Sequence, residues 1–174
     1  MKLLMHICCA NCALYPIKIV RQKDYEIQGF WFNPNIHPLL EYRSRLAALR
    51  QLESLWDIPI EYRDEYGLVE FVRRVVHHEE SRCEYCYAVR LDATAQRAKE
   101  LGMDAFTTSL LVSPYQKFEL IQSIGYTVSE RHGIAFYAED FRSGYSEGTR
   151  LSRQMGLYRQ KYCGCVYSEM QRYL

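Results

Sequence analysis

The chain has no long hydrophobic run. Its N-terminus, Met1-Lys2-Leu3-Leu4-Met5, carries one positive charge and an apolar stretch far shorter than the core of a signal peptide, and no segment approaches membrane-spanning length. Both absences argue against a secretory route or an anchor, and the expected location is the cytoplasm, with no membrane partner. Internal repeats, low-complexity stretches and Gly- or Ser-rich linkers are missing as well, which leaves a single domain over residues 1–174 as the expectation. Excess charge is missing too. The 22 Lys and Arg face 21 Asp and Glu for a net charge of +1, so the molecule as a whole is no electrostatic trap for nucleic acid. Finally, no Gly-rich phosphate turn follows the first apolar segment, which argues against ATP-activated chemistry.

What the chain does have is thiols and tyrosines. Seven cysteines in a reducing compartment form no disulfide framework, and the odd number resists full pairing. Fifteen tyrosines exceed the needs of a core this size and leave rings free to stack on flat groups. Charge is also uneven along the chain. Residues 141–174 hold Arg142, Arg150, Arg153, Arg159, Lys161 and Arg172 against Glu147 and Glu169, while residues 1–140 are acidic on balance. The basic end is therefore either an anion-binding face or a solvated helix surface.

Taken in order, residues 3–7 read as a short buried strand and 13–21 as a helix that tolerates Pro16 in its first turns. A second strand over 27–32 stops at Asn33-Pro34-Asn35. Leu39, Leu46, Leu49, Leu52 and Leu55 then mark a helix over 39–55 with its arginines on the opposite face. A short strand at 58–60 follows, then helices over 67–76 and 83–101, the second closed by Gly102. A strand over 104–111, a helix from Ser113 to Ile124 stopped by Gly125, a strand over 134–137 and a helical, basic tail over 141–174 complete the chain. This alternation predicts an α/β three-layer sandwich around a mostly parallel sheet. Ligands of such sheets gather beyond the carboxyl ends of the strands, where strand order reverses, and Cys8, Cys9 and Cys12 fall at that edge.

Cys9 and Cys12 form one C-x-x-C and Cys83 and Cys86 another, each at a helix start where the dipole favours thiolate. Four thiolates are what a tetrahedral zinc or an iron–sulfur cluster requires. Cys8 and the Cys163-Gly164-Cys165 pair then imply a second metal, a redox pair or structural cysteines. Gly164 permits the sharp bend that turns neighbouring thiolates to one centre. Among the histidines, His6 inside the first strand reads as a hydrogen-bonded core residue, His77 and His78 as solvated, and His37 as a residue that could face the site.

With these motifs placed, a family resemblance emerges. His6-x-Cys8-Cys9-x-x-Cys12, Arg82-Cys83-x-x-Cys86-x-x-x-Arg90-Leu91, Thr107-Thr108-Ser109-Leu110-x-x-Ser113-Pro114, Asp140-Phe141-Arg142-x-Gly144 and Leu157-Tyr158-Arg159-Gln160-x-Tyr162-Cys163-Gly164-Cys165-x-x-Ser168 run in an order that resembles the cobalamin-independent epoxyqueuosine reductases of the QueH family. One departure is Asn11, where proline is commoner, at a turn that accepts either. The resemblance implies an adenine-nucleotide alpha-hydrolase-like fold, reduction of epoxyqueuosine in the tRNA anticodon loop to queuosine, a [4Fe-4S] cluster, a second metal ion (iron, or else zinc) and a low-potential electron donor of unspecified identity.

Joining motif and chemistry, the expected division assigns Cys9, Cys12, Cys83 and Cys86 to the cluster and Cys8, Cys163 and Cys165 to the second metal, because Cys8 and Cys9 point apart if the strand continues through them. Cys8 and Asp140 are the catalytic candidates, Asp140 as an oxygen ligand or proton donor, with capping of the following turn as its alternative. Arg142, Arg150, Arg153, Arg159 and Lys161 are expected on phosphates, and Tyr145, Tyr158 and Tyr162 on splayed bases or packed against the sheet. Three rivals stay open: a cluster-dependent tRNA thiolation enzyme, which would need ATP; a non-catalytic zinc-binding RNA-recognition module, which would be colourless; and a thiol oxidoreductase working through Cys163 and Cys165, which would survive metal removal.

Overall fold

Leu3, Leu4, Met5 and His6 are all fully buried, so the first strand does not alternate inside and outside; a strand of this kind belongs in the middle of a parallel sheet covered on both faces. The computed structural model, which describes residues 1–174, places it there. Strand β1 (Lys2–His6) pairs in parallel with β2 (Glu26–Trp31) on one side and β4 (Ala105–Thr108) on the other, Leu3 standing between Ile27 and Ala105. Strands β3 (Ile60–Tyr62) and β5 (Ala135–Phe136) complete the wholly parallel order β3-β2-β1-β4-β5.

Because parallel crossovers are right-handed, building outward from β1 in opposite directions puts helices on both faces. Helices α1 (Ala10–Gln22) and α2 (Leu39–Trp56) connect the first three strands. The return to β4 passes through α3 (Leu68–Val75) and α4 (Arg82–Glu100), and α5 (Phe118–His132) leads to β5. The three-layer α/β arrangement expected from the alternation is therefore present. The chain ends with α6 (Tyr145–Gln154), which packs on α1, and α7 (Val166–Tyr173). No helix is long and apolar enough to cross a membrane.

Four local departures from the sequence expectation matter to the site. The strand expected over 104–111 ends at Thr108, whose Oγ1 accepts from Leu110 N at 3.2 Å and turns residues 109–112 into a 3-10 coil. The helix expected to stop at Gly125 runs through it to Gly133, which takes the left-handed φ of 64° that ends the helix. The tail is not continuously helical, since residues 155–165 form an irregular segment between α6 and α7. Arginine is not confined to the outer face of α2: Arg45 is 1% exposed, whereas Leu55 is 55% exposed.

Gly125 is needed for packing rather than for a turn. A Cβ added there would stand 2.2 Å from Cε1 of Phe136 on β5. Gly125→Ala is expected to lower stability by about 1–3 kcal/mol through overpacking, reversing the gain of ~1 kcal/mol that the same change brings in an open helix. The urea midpoint decides this, and a raised midpoint would mean that the Phe136 ring moves aside freely.

Candidate metal centre

Strand order reverses between β1 and β4, and the residues leaving those two strands meet. Cys8 N donates to Ser109 Oγ at 3.1 Å, and the Ser109 hydroxyl lies 3.4 Å from Cys8 Sγ. Since β1 ends at His6, strand alternation does not govern Cys8 and Cys9. Cys9 is instead the extended N-cap of α1 (φ −171°, ψ 159°), and its Sγ accepts from Cys12 N at 3.4 Å. The C-x-x-C spacing is thus a helix cap built with sulfur: N-cap and third helical residue face one another, and the helix start favours negative charge. Cys8 Sγ is 3.7 Å from Cys9 Sγ, and all three sulfurs lie within 4.8 Å of one another, buried. The geometry thus groups Cys8 with Cys9 and Cys12, which the expected division had set apart.

The other four cysteines form a looser group. Cys83 and Cys86 sit in the first turn of α4, where residues three apart share a face. Cys165 caps α7, and Cys163 precedes it in the irregular segment. Cys165 and Cys86 pack in one small cluster with Phe71 and Val75. No three of these four sulfurs approach one another as closely as the triad does. Each pair has nitrogen donors: Arg90 Nη2 to Cys86 Sγ at 3.0 Å, and Gln116 Nε2 to Cys163 Sγ at 3.1 Å. Tyr87 Oη donates to Gln116 Oε1 at 2.6 Å and so orients that amide.

The electrostatics fit sites for bound cations. In the triad, hydrogen bonds from Cys12 and Cys9 hold the Cys8 thiol well below its ordinary range, while burial drives Cys9 up and its neighbours drive Cys12 up. With Cys9 and Cys12 held up in this way, joint ionisation of the three sulfurs is favoured beside a cation. Burial pushes Cys86 up to about 12, with the charges of Cys163, Cys165 and Cys83 acting in the same sense. Gln160 spans the triad, its Nε2 at 2.9 Å from Cys9 Sγ and 3.4 Å from Cys12 Sγ, and its buried Oε1 has no donor. Three buried sulfurs grouped this closely are a donor set for a metal ion.

A clamp from α2 holds the thiol-bearing tail over this edge. Arg45 donates from Nε to Glu41 Oε1 at 2.7 Å, from Nη1 to Cys163 O at 2.8 Å and from Nη2 to Tyr162 O at 2.9 Å. Tyr158 donates to the other Glu41 oxygen, and Tyr162 Oη to His37 O at 2.7 Å. His37 N donates to Gly164 O at 2.7 Å, so His37 holds the tail through its backbone while its ring Nε2 bonds Pro34 O at 3.1 Å. Burial lowers the pKa of His37 to about 4 and that of His6 to about 3. His6 is a core residue as expected, bonded to Thr108 Oγ1 at 2.9 Å and Asn33 Oδ1 at 3.1 Å.

The remaining candidates lie at the surface. Asp140 is exposed and its carboxylate is taken by Arg142, through the backbone N at 3.0 Å and Nη2 at 2.7 Å, which lowers its pKa. Arg142, Arg150, Arg153, Tyr158, Arg159 and Lys161 are all exposed. Tyr145 is half-buried, near enough to Cys12 and Cys9 for their charges to raise its pKa after burial, and it meets the ring of Tyr115 edge-on at 5.8 Å. Tyr115 is 81% exposed. Sequence reasoning missed Tyr115, Gln116, Arg45 and the contacts of Gln160; only Gln160 carried a signal, its place in the tail motif. A hollow of about 510 Å³ lies at the other end of the sheet among Lys2, Glu26 and Met103, away from every cysteine.

A parallel α/β sheet with buried thiols grouped at its switch point defines a cysteine-rich protein with a candidate metal centre where related sheets bind their ligands. The chain belongs to the QueH family: the family model described as "Epoxyqueuosine reductase QueH" matches residues 3–171. An epoxyqueuosine reductase QueH from Dehalococcoides mccartyi is 36% identical over 99% of this chain and 94% of its own. Its counterpart from Thermotoga maritima is 37% identical over 97% and 91%. The family is one of oxidoreductases. Among solved structures, a predicted subunit of tRNA methyltransferase from Methanocaldococcus jannaschii aligns with TM-score 0.56 at 14% identity, over 88% of this chain and 76% of that one, a likeness of fold.

Proposed function

We propose that the protein reduces epoxyqueuosine in the anticodon loop of tRNA to queuosine in the cytoplasm, two electrons and two protons converting the epoxide into an alkene and water. The observation that carries the reading is the buried sulfur triad. We assign Cys8, Cys9 and Cys12 to a single Lewis-acidic ion, iron or zinc, and Cys83, Cys86, Cys163 and Cys165 to a [4Fe-4S] cluster. Two sulfurs bound at ~2.3 Å on a tetrahedral ion stand about 3.8 Å apart, and the Cys8 and Cys9 sulfurs are 3.7 Å apart. The other four are too widely spread for one ion and match a cluster in number. When bound, the cluster supplies electrons one at a time from a low-potential donor, and the ion draws electron density from the epoxide oxygen.

The chain's own residues do the rest. Gln160 fixes Cys9 and Cys12 through its N–H groups. Tyr145, half-buried at this edge with its ring against Tyr115, holds a proton at Oη for the departing oxygen. Asp140 holds Arg142 at the surface, and Arg142, Arg150, Arg153, Arg159 and Lys161 meet tRNA phosphates, with Tyr158 beside them. The test is incubation of anaerobically purified protein with epoxyqueuosine-containing tRNA and a low-potential reductant, followed by nucleoside analysis. Queuosine should form only with reductant and disappear after chelation. No conversion by brown, iron-replete protein under reducing conditions overturns the reading. Binding of the tRNA should weaken as salt rises, and a flat response removes the phosphate contacts.

A further inference from the structure

Arg90 lies one helical turn beyond Cys86 on α4, so it shares a face with Cys83 and Cys86. It is 2% exposed, with Nε on Cys86 O at 2.8 Å and Nη2 on Cys86 Sγ at 3.0 Å. Arg45, the other buried arginine at this edge, has a carboxylate at 2.7 Å, but no Asp or Glu pairs with Arg90. The sulfur in contact with it is Cys86 Sγ, one of the four thiols assigned to the cluster. A guanidinium cannot shed its proton, and a buried charge without a counter-ion is strongly destabilising. Bound as a thiolate to the cluster, the Cys86 sulfur is the group placed to balance Arg90.

We propose that Arg90 is a positioning residue acting as the permanent counter-charge of the cluster's thiolates, and that it holds the reduction potential of the cluster up. Reduction adds negative charge next to Arg90, and both its positive charge and its N–H···S bond stabilise that added charge. The inference rests on the assignment of a cluster to these thiols.

The test compares wild type, Arg90→Lys and Arg90→Gln, each reconstituted anaerobically with iron and sulfide. Iron and sulfide content, midpoint potential and the urea midpoint of the metal-free protein are read. A wild type that binds no cluster ends the assignment itself, before Arg90 is at issue. With clusters present, Arg90→Gln should titrate at a more negative potential than wild type, and Arg90→Lys, which keeps the charge, should recover most of the shift. An unchanged potential in Arg90→Gln, or equal shifts in both variants, overturns the proposal. If Arg90→Gln assembles no cluster or does not fold, Arg90→Lys decides: a cluster near the wild-type potential upholds the counter-charge, and loss of the cluster or a clearly more negative potential overturns it.

Discussion

Cys86→Ser should abolish the visible absorption of the iron–sulfur centre while leaving a single thiolate-bound ion in place, and Cys12→Ser should do the reverse. The reason is geometric. The Cys8, Cys9 and Cys12 sulfurs lie within 4.8 Å of one another, and Cys86 packs instead with Cys165 in a separate small cluster. Even outer-shell changes cost on the order of 10–100-fold in metal affinity or activity, so removal of a direct ligand should reduce queuosine formation by more than roughly 100-fold in either variant. Iron, zinc and sulfide are counted anaerobically in each. A Cys86→Ser protein that keeps a full cluster and loses only the single ion would reverse the assignment. A Cys12→Ser protein that keeps the single ion would remove Cys12 from it.

That assignment differs from the one the sequence suggested, and the reason is local. Both C-x-x-C motifs were legible, and so were their helix starts, because spacing and dipole are properties of a few consecutive residues. Which motif joins which thiol depends on where β1 ends. Alternation was extended one turn too far, through Cys8 and Cys9, whereas Cys9 has already become the cap of α1. The sheet itself was readable for the opposite reason. A fully buried apolar strand followed by helix-spaced segments admits few right-handed parallel arrangements, and the β1 and β4 carboxyl ends had to be neighbours of the switch point. Gly125 misled because glycine stops a helix or lets it pack closely with the same residue type, and only the position of Phe136 separates the two. Arg45 gave no signal at all. Its partners Tyr162 and Cys163 are distant in sequence, and an arginine on an amphipathic helix reads as solvated until the tail is laid across it.

Arg45 therefore yields the second large effect. Replacing it with methionine leaves Glu41 as an uncompensated, nearly buried carboxylate and strips the Tyr162 and Cys163 carbonyls of their donors. Breaking a buried pair by removing one partner costs about 3–5 kcal/mol, which should show as a lowered urea midpoint in metal-free Arg45→Met. The double variant Arg45→Met, Glu41→Leu removes the stranded charge along with its partner and should regain most of that stability, because a well-packed apolar pair replaces a buried ion pair at little cost. It should not regain the tail. Without Nη1 and Nη2 the segment carrying Cys163 and Cys165 loses both backbone ties to α2 and keeps the bonds through His37, Gln116 and Gln160, so both thiols should alkylate faster than wild type in single and double variants alike. The cluster should be depleted in both, while the Cys8, Cys9 and Cys12 ion is retained. Wild-type alkylation rates at Cys163 and Cys165 in the double variant would show that Arg45 contributes stability alone and that the tail is held over the triad by other contacts.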